Sequence, residues 1–224
     1  HSTSRRQRQM CIRDRHYMEA MMEYTIHLFN AGGFVMYPLV LFMLAACTIL
    51  FERIRTYRNI NHELQQLSDS IDAGRNSNNW STLENSIKNS DDALSRFVSP
   101  IVESVYSAEG LENRLHDVVG YMDERLKRGL NWLSMMVTMA PLLGLLGTVV
   151  GMIRSFAAVG GDIGAPTVIT GGVSEALVAT ATGLSVAIVA LAIHSWCTDK
   201  VNSDIAKLEQ KLGSIMDLYI RSQR

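Results

Sequence analysis

Residues Gly129–Ile153 read GLNWLSMMVTMAPLLGLLGTVVGMI, and they contain no Asp, Glu, Lys or Arg. A helix needs roughly 20 residues to cross a hydrocarbon core about 30 Å thick, so this run is long enough to span a membrane. Two other runs are equally free of charge, Tyr24–Phe51 and Ala176–Thr198. Core helices of soluble proteins seldom stay uncharged over that length, whereas membrane spans must. The pattern therefore predicts an all-α integral membrane protein with transmembrane helices at 34–51, 132–155 and 172–197. Trp132 opens the second span and Trp196 closes the third, where amphipathic rings favour the lipid–water boundary.

The averages conceal this division. The 224 residues are 47% hydrophobic and 19% charged, with a formal net charge of -1, and the mean hydropathy is only +0.08. A balanced charge argues against a basic nucleic-acid-binding surface, and the apolar content argues against a disordered chain. Cys11, Cys47 and Cys197 are too few and too far apart for a disulfide framework or a metal knuckle. No metal site and no cofactor is expected.

Lys and Arg beside the spans predict an orientation, because they are retained on the cytoplasmic side. Arg53, Arg55 and Arg58 follow the first span; Arg125, Lys127 and Arg128 precede the second; Lys200, Lys207 and Lys211 follow the third. The expected layout has a cytoplasmic helical domain at 52–131, an outer link at 156–171 and a cytoplasmic C-terminal helix at 198–224. Residues 18–33 read as a mildly amphipathic lead-in on the outer surface. Residues 1–17 oppose this orientation with five arginines and show no periodic pattern, so they are set aside as an artefactual or disordered extension.

Apolar stripes at helical spacing extend the spans into a cytoplasmic bundle. One runs Tyr57, Ile60, Leu64, Leu67, Ile71; a second runs Leu111, Leu115, Val118, Met122, Leu126, Leu130, Leu133, directly into span two; a third runs Val201, Ile205, Leu208, Leu212, Ile215, Tyr219. Gly74–Trp80 (GRNSNNW) is expected to be a turn, with short helices at Ser81–Lys88 and Ala93–Ser107.

Inside the membrane the residue types change. Pro141, Gly144, Thr148, Gly151 and Ser155 recur at steps of three or four, with Gly147 beside them, and so share one small, lightly polar helix face. Such a face suits close helix packing or a narrow pathway. Span three carries Thr180, Thr182 and Ser185 among many alanines, and Glu175 near its outer end. An acid at mid-membrane costs about 2.5–3.5 kcal/mol on insertion scales; near the outer end the cost is smaller, so a carboxylate that snorkels to the interface is the alternative to a functional one. An intramembrane Thr, by contrast, usually bonds its own backbone. A proton relay needs a titrating group, and Glu175 is the one acid the spans supply. Either it carries protons or a partner helix brings another carboxylate. No nucleophile–base pair, phosphate-binding loop or catalytic residue stands out.

At these residues the chain resembles the MotA/TolQ/ExbB proton channel family. Ala140–Phe156 (APLLGLLGTVVGMIRSF) resembles the family's second-span signature, Ile169–Val186 (ITGGVSEALVATATGLSV) its third-span motif, and Ala31–Leu41 (AGGFVMYPLVL) with Glu52-Arg53 the ExbB-type first span. The resemblance implies a homo-pentamer in the bacterial inner membrane, surrounding an ExbD-like single-span protein whose intramembrane Asp carries protons. It implies that Thr148 and Thr180 are pore-facing hydroxyls near that Asp, that Glu175 is the family's intramembrane acid, and that the proton motive force drives a TonB-like protein. A TolQ-type envelope role and a non-conducting scaffold remain the alternatives.

Overall fold

The computed structural model describes residues 32–77, 79–90, 92–105, 107–159 and 166–223. The expectations for 1–17 and for most of the lead-in lie outside them. The described residues form six helices: α1 Met36–Ser77, α2 Trp80–Asn89, α3 Ala93–Glu103, α4 Ala108–Lys127, α5 Leu130–Val159 and α6 Pro166–Ser222. Among them α1, α5 and α6 are long and apolar enough to cross a membrane. The protein is all-helical with three candidate spans, as the charge-free runs predict.

The chain divides into two compact units. Of the described residues, those up to Ala45 and those within Ser134–Leu191 build the first, and those within Ala46–Leu133 and from Ala192 onward build the second.

In the first unit, buried Val35, Leu39, Ala140, Val186 and Ala187 form a core, with Phe42, Met43 and Leu143 packed against it. Large apolar side chains such as Leu142, Leu145, Ile153, Leu177 and Ile188 point outward and are more than half exposed. In water such a surface would be costly at about 25 cal/mol per Å²; against lipid or another subunit it carries no such cost.

The second unit is a conventional helical bundle. All five residues of the α1 stripe and the seven from Leu111 to Leu133 are buried. On α6, Val201, Leu208, Leu212 and Ile215 are buried, and Leu218 is buried beside Tyr219. Helix starts are capped by side chains: Asp92 accepts from the Ser95 amide at 2.9 Å, and Ser107 accepts from the Gly110 amide at 3.1 Å. These caps satisfy donors that the first helical turn leaves free.

Two expectations are corrected here. The predicted turn at Gly74–Trp80 is mostly helix, because α1 continues to Ser77 and α2 begins at Trp80. Gly74 serves close packing instead, since a Cβ there would lie 2.8 Å from the Leu83 Cβ and 3.1 Å from Leu218. The second stripe is not carried into span two on one unbroken helix. Gly129 adopts φ +88 between α4 and α5, a left-handed conformation that only glycine adopts without strain.

Arg53 ties that break to α1. It is 5% exposed, and its guanidinium donates to the Leu126 carbonyl at 3.3 Å, one of the orphan acceptors at the end of α4. It also pairs with Glu52 at 2.9 Å. One turn on, the Tyr57 ring meets Trp196 with centroids 6.1 Å apart. Burial, then the adjacent Cys197 thiol, push the Tyr57 hydroxyl above its ordinary range.

Candidate functional site

The small-residue faces of α5 and α6 meet each other within the first unit. A Cβ on Gly144 would lie 3.1 Å from the Ala179 carbonyl oxygen, and one on Gly151 would lie 3.1 Å from both the Ala176 Cβ and the Gly172 carbonyl oxygen. On the other side, a Cβ on Gly183 would sit 2.6 Å from the Ala140 carbonyl oxygen. Gly147 is bounded by Ala179 and Val35, which brings the start of the first span to the same place. Ser155 is 4% exposed, donates to the Gly151 carbonyl at 2.9 Å, and faces Gly172. Pro141 lies inside α5, one turn before these glycines. The sequence leaves a packing role and a pore-lining role open for this face; the structure places Gly144, Gly147, Gly151 and Ser155 in an intramolecular helix contact.

The hydroxyls divide into two kinds. Thr148 donates to the Leu145 carbonyl of its own helix at 2.7 Å. Thr182 and Ser185 do the same toward Val178 and Ala181, each at 2.8 Å. Thr180 behaves differently: its hydroxyl crosses to α5 and donates to the Gly144 carbonyl at 3.1 Å. The crossing is possible because Gly144 lets the two backbones approach. In that bond α5 offers the carbonyl and α6 offers the hydroxyl.

Glu175 lies half-buried at one end of this seam, one turn from Gly172. Its Oε1 pairs with the Arg154 guanidinium at 3.3 Å. The same oxygen abuts Gly33, where a Cβ would collide with it and where φ is +65. Arg154 falls just beyond the charge-free run that ends at Ile153. Its mark in the sequence is that no other Lys or Arg occurs between Gly129 and Asp199.

Among the described residues no group of three His, Cys, Asp or Glu could hold a metal. The chemistry the seam offers is that of one carboxylate with its counter-charge and of hydroxyls set among backbone carbonyls, groups that can accept, donate and orient protons.

Comparison with known proteins agrees with the motifs. Residues 89–210, more than half of the chain, match the MotA/TolQ/ExbB proton channel family. The chain is 34% identical over 178 residues to a putative biopolymer transport protein ExbB-like 1 from Synechocystis, covering 74% of this chain and 67% of that one. It is 29% identical over 197 residues to the ExbB-like 3 protein of the same organism, covering 85% and 93%. The fold is similar to a chain in the flagellar MotAB stator complex from Bacillus subtilis, with TM-score 0.58, 20% identity and coverage of 85% and 80%. The chain belongs to the MotA/TolQ/ExbB proton channel family. It is a multi-pass membrane protein of a transport family rather than an enzyme.

Proposed function

We propose that the chain is an ExbB-like subunit of an inner-membrane proton channel. In this reading it assembles as a homo-pentamer around an ExbD-like single-span protein, and the proton motive force is passed to a TonB-like protein that serves outer-membrane transport. The intramembrane Asp of the partner carries the proton; this chain supplies the wall. The N-terminus and the link at 156–171 face the periplasm, and the 52–131 domain and the C-terminal helix face the cytoplasm.

The observation that carries this reading is the family match spanning the seam that bears Thr148, Glu175 and Thr180. Thr180 bonded to the Gly144 carbonyl fits a wall that orients a hydroxyl beside a pathway, and Thr148 lies one turn along the same helix from Gly144. The ExbB-like names of the two Synechocystis relatives favour that branch over TolQ.

The test is energised uptake in cells carrying Thr148→Val or Thr180→Val, with assembly followed by co-purification. Loss of uptake with assembly intact is expected, together with a co-purifying single-span protein that has an intramembrane Asp. Full uptake in both variants would leave the chain a passive scaffold.

A further inference from the structure

Arg154 and Glu175 are brought together by the seam, not by sequence. They lie 21 residues apart, on different helices, and are joined through Arg154 Nη1 and Glu175 Oε1 at 3.3 Å. The backbones beneath them are held by the contact of Ser155 with Gly172 and of Gly151 with Ala176, so the pair rests on a close part of the α5–α6 packing. Gly33 approaches the same Oε1 from the first span's lead-in. One carboxylate oxygen is thus bracketed by a cation from α5 and by a residue that must be glycine for two reasons, its φ and the oxygen in front of it.

We propose that Arg154 is the positioning residue for Glu175. Its guanidinium holds the carboxylate at the end of the seam, facing Gly33, and so governs how readily that carboxylate meets anything entering from that end. The consequence for transport rests on the channel reading above; the positioning itself does not. An exposed ion pair alone contributes little, and the Arg154 side chain is 59% exposed against 29% for Glu175. What distinguishes this pair is that neither backbone can retreat, and that a charge near a membrane span has few other partners.

The experiment is labelling of Glu175 by a hydrophobic carbodiimide in native membranes containing the full chain, with the modified peptide measured by mass spectrometry. Arg154→Met keeps the length of the side chain and removes its charge; Arg154→Gln is the second variant, and both substitute an exposed position outside the core. Both should raise the labelling rate about 1.4- to fivefold, the range that the usual 0.2–1 kcal/mol of an exposed pair allows. Arg154→Lys should return the rate toward that of the unaltered chain, which a merely space-filling role would not produce. Equal rates in all four chains would overturn the proposal, and so would failure of Lys to restore. Proton uptake into the same vesicles is measured in parallel. If the unaltered chain takes up no protons, the channel reading fails while the labelling still decides the role of Arg154. If it conducts, and Arg154→Met conducts equally despite faster labelling, positioning by Arg154 has no bearing on transport and that part of the proposal is refuted.

Discussion

The Thr180 hydroxyl donates to the Gly144 carbonyl across the α5–α6 contact at 3.1 Å, although a bond to its own helix is the usual choice. Thr180→Val should therefore cost stability as well as function. Interhelical bonds in membranes average near 0.6 kcal/mol and reach about 1.7, so a loss of roughly 0.5–1.5 kcal/mol is expected, read as a lower Tm in detergent or nanodiscs. Thr180→Ser should retain most of both. Thr148→Val, which removes only a bond within one helix, should leave Tm nearly unchanged.

A methyl on Gly183 would stand 2.6 Å from the Ala140 carbonyl oxygen. Backbone cannot swing aside as a side chain can, so the helices must part. Gly183→Ala should destabilise the first unit by about 1–3 kcal/mol, the usual cost of overpacking. Gly171→Ala is the control on the same helix, because nothing lies within 4 Å of a Cβ there. Comparing their unfolding midpoints checks the seam directly; equal midpoints would show that it is looser than described.

Asp204 has a fully buried side chain in the second unit, with Lys200 at 2.9 Å and Lys207 at 3.6 Å. Removing one partner of a buried pair typically costs roughly 3–5 kcal/mol. Both lysines keep some solvent here, so Asp204→Ala leaves no buried charge behind and should cost less, about 1.5–3 kcal/mol for the lost charged hydrogen bond. The Tm of the full chain is the measurement, and a shift of less than a degree would contradict this placement of the carboxylate.

Glu63 lies in an open groove with Asn59, His62, Gln66 and Asp92. Burial raises its carboxyl above the ordinary range, and the nearby Arg125 only partly offsets that. The native state therefore binds the proton more tightly than the unfolded chain does. Stability is highest below the unfolded carboxyl value and falls as pH rises through the raised native one. Glu63→Gln should raise Tm at neutral pH and flatten its decline across the mildly acidic range. A parallel pH profile for variant and parent would refute this.

Much of this architecture is legible in the sequence because it is periodic. Stripes such as Ile60, Leu64, Leu67 and Ile71 announce a buried helix face, and absent charge announces a span. Single residues whose meaning depends on a distant neighbour are not legible in that way. Gly74 looks like a turn glycine, yet it is helical and makes room for Leu83. Gly129 breaks the helix beneath a stripe whose spacing continues across it. For the candidate site, the residue types on the small face could be read, but their partners could not. Every intramembrane Thr has its own backbone within reach, so nothing local separates Thr180 from Thr182. Arg154 acquires significance only when the fold carries it to Glu175.

The glycine seam also bears on which sequences can be exchanged among relatives. Between hydrogen and methyl there is no intermediate size, so change at Gly144, Gly151 or Gly183 cannot proceed by small steps. A substitution on one helix would need an answering one on the other at the same time. α5 and α6 should therefore be inherited as a matched pair. A chimera taking both from one relative should assemble, while one that takes α5 from one parent and α6 from another should not.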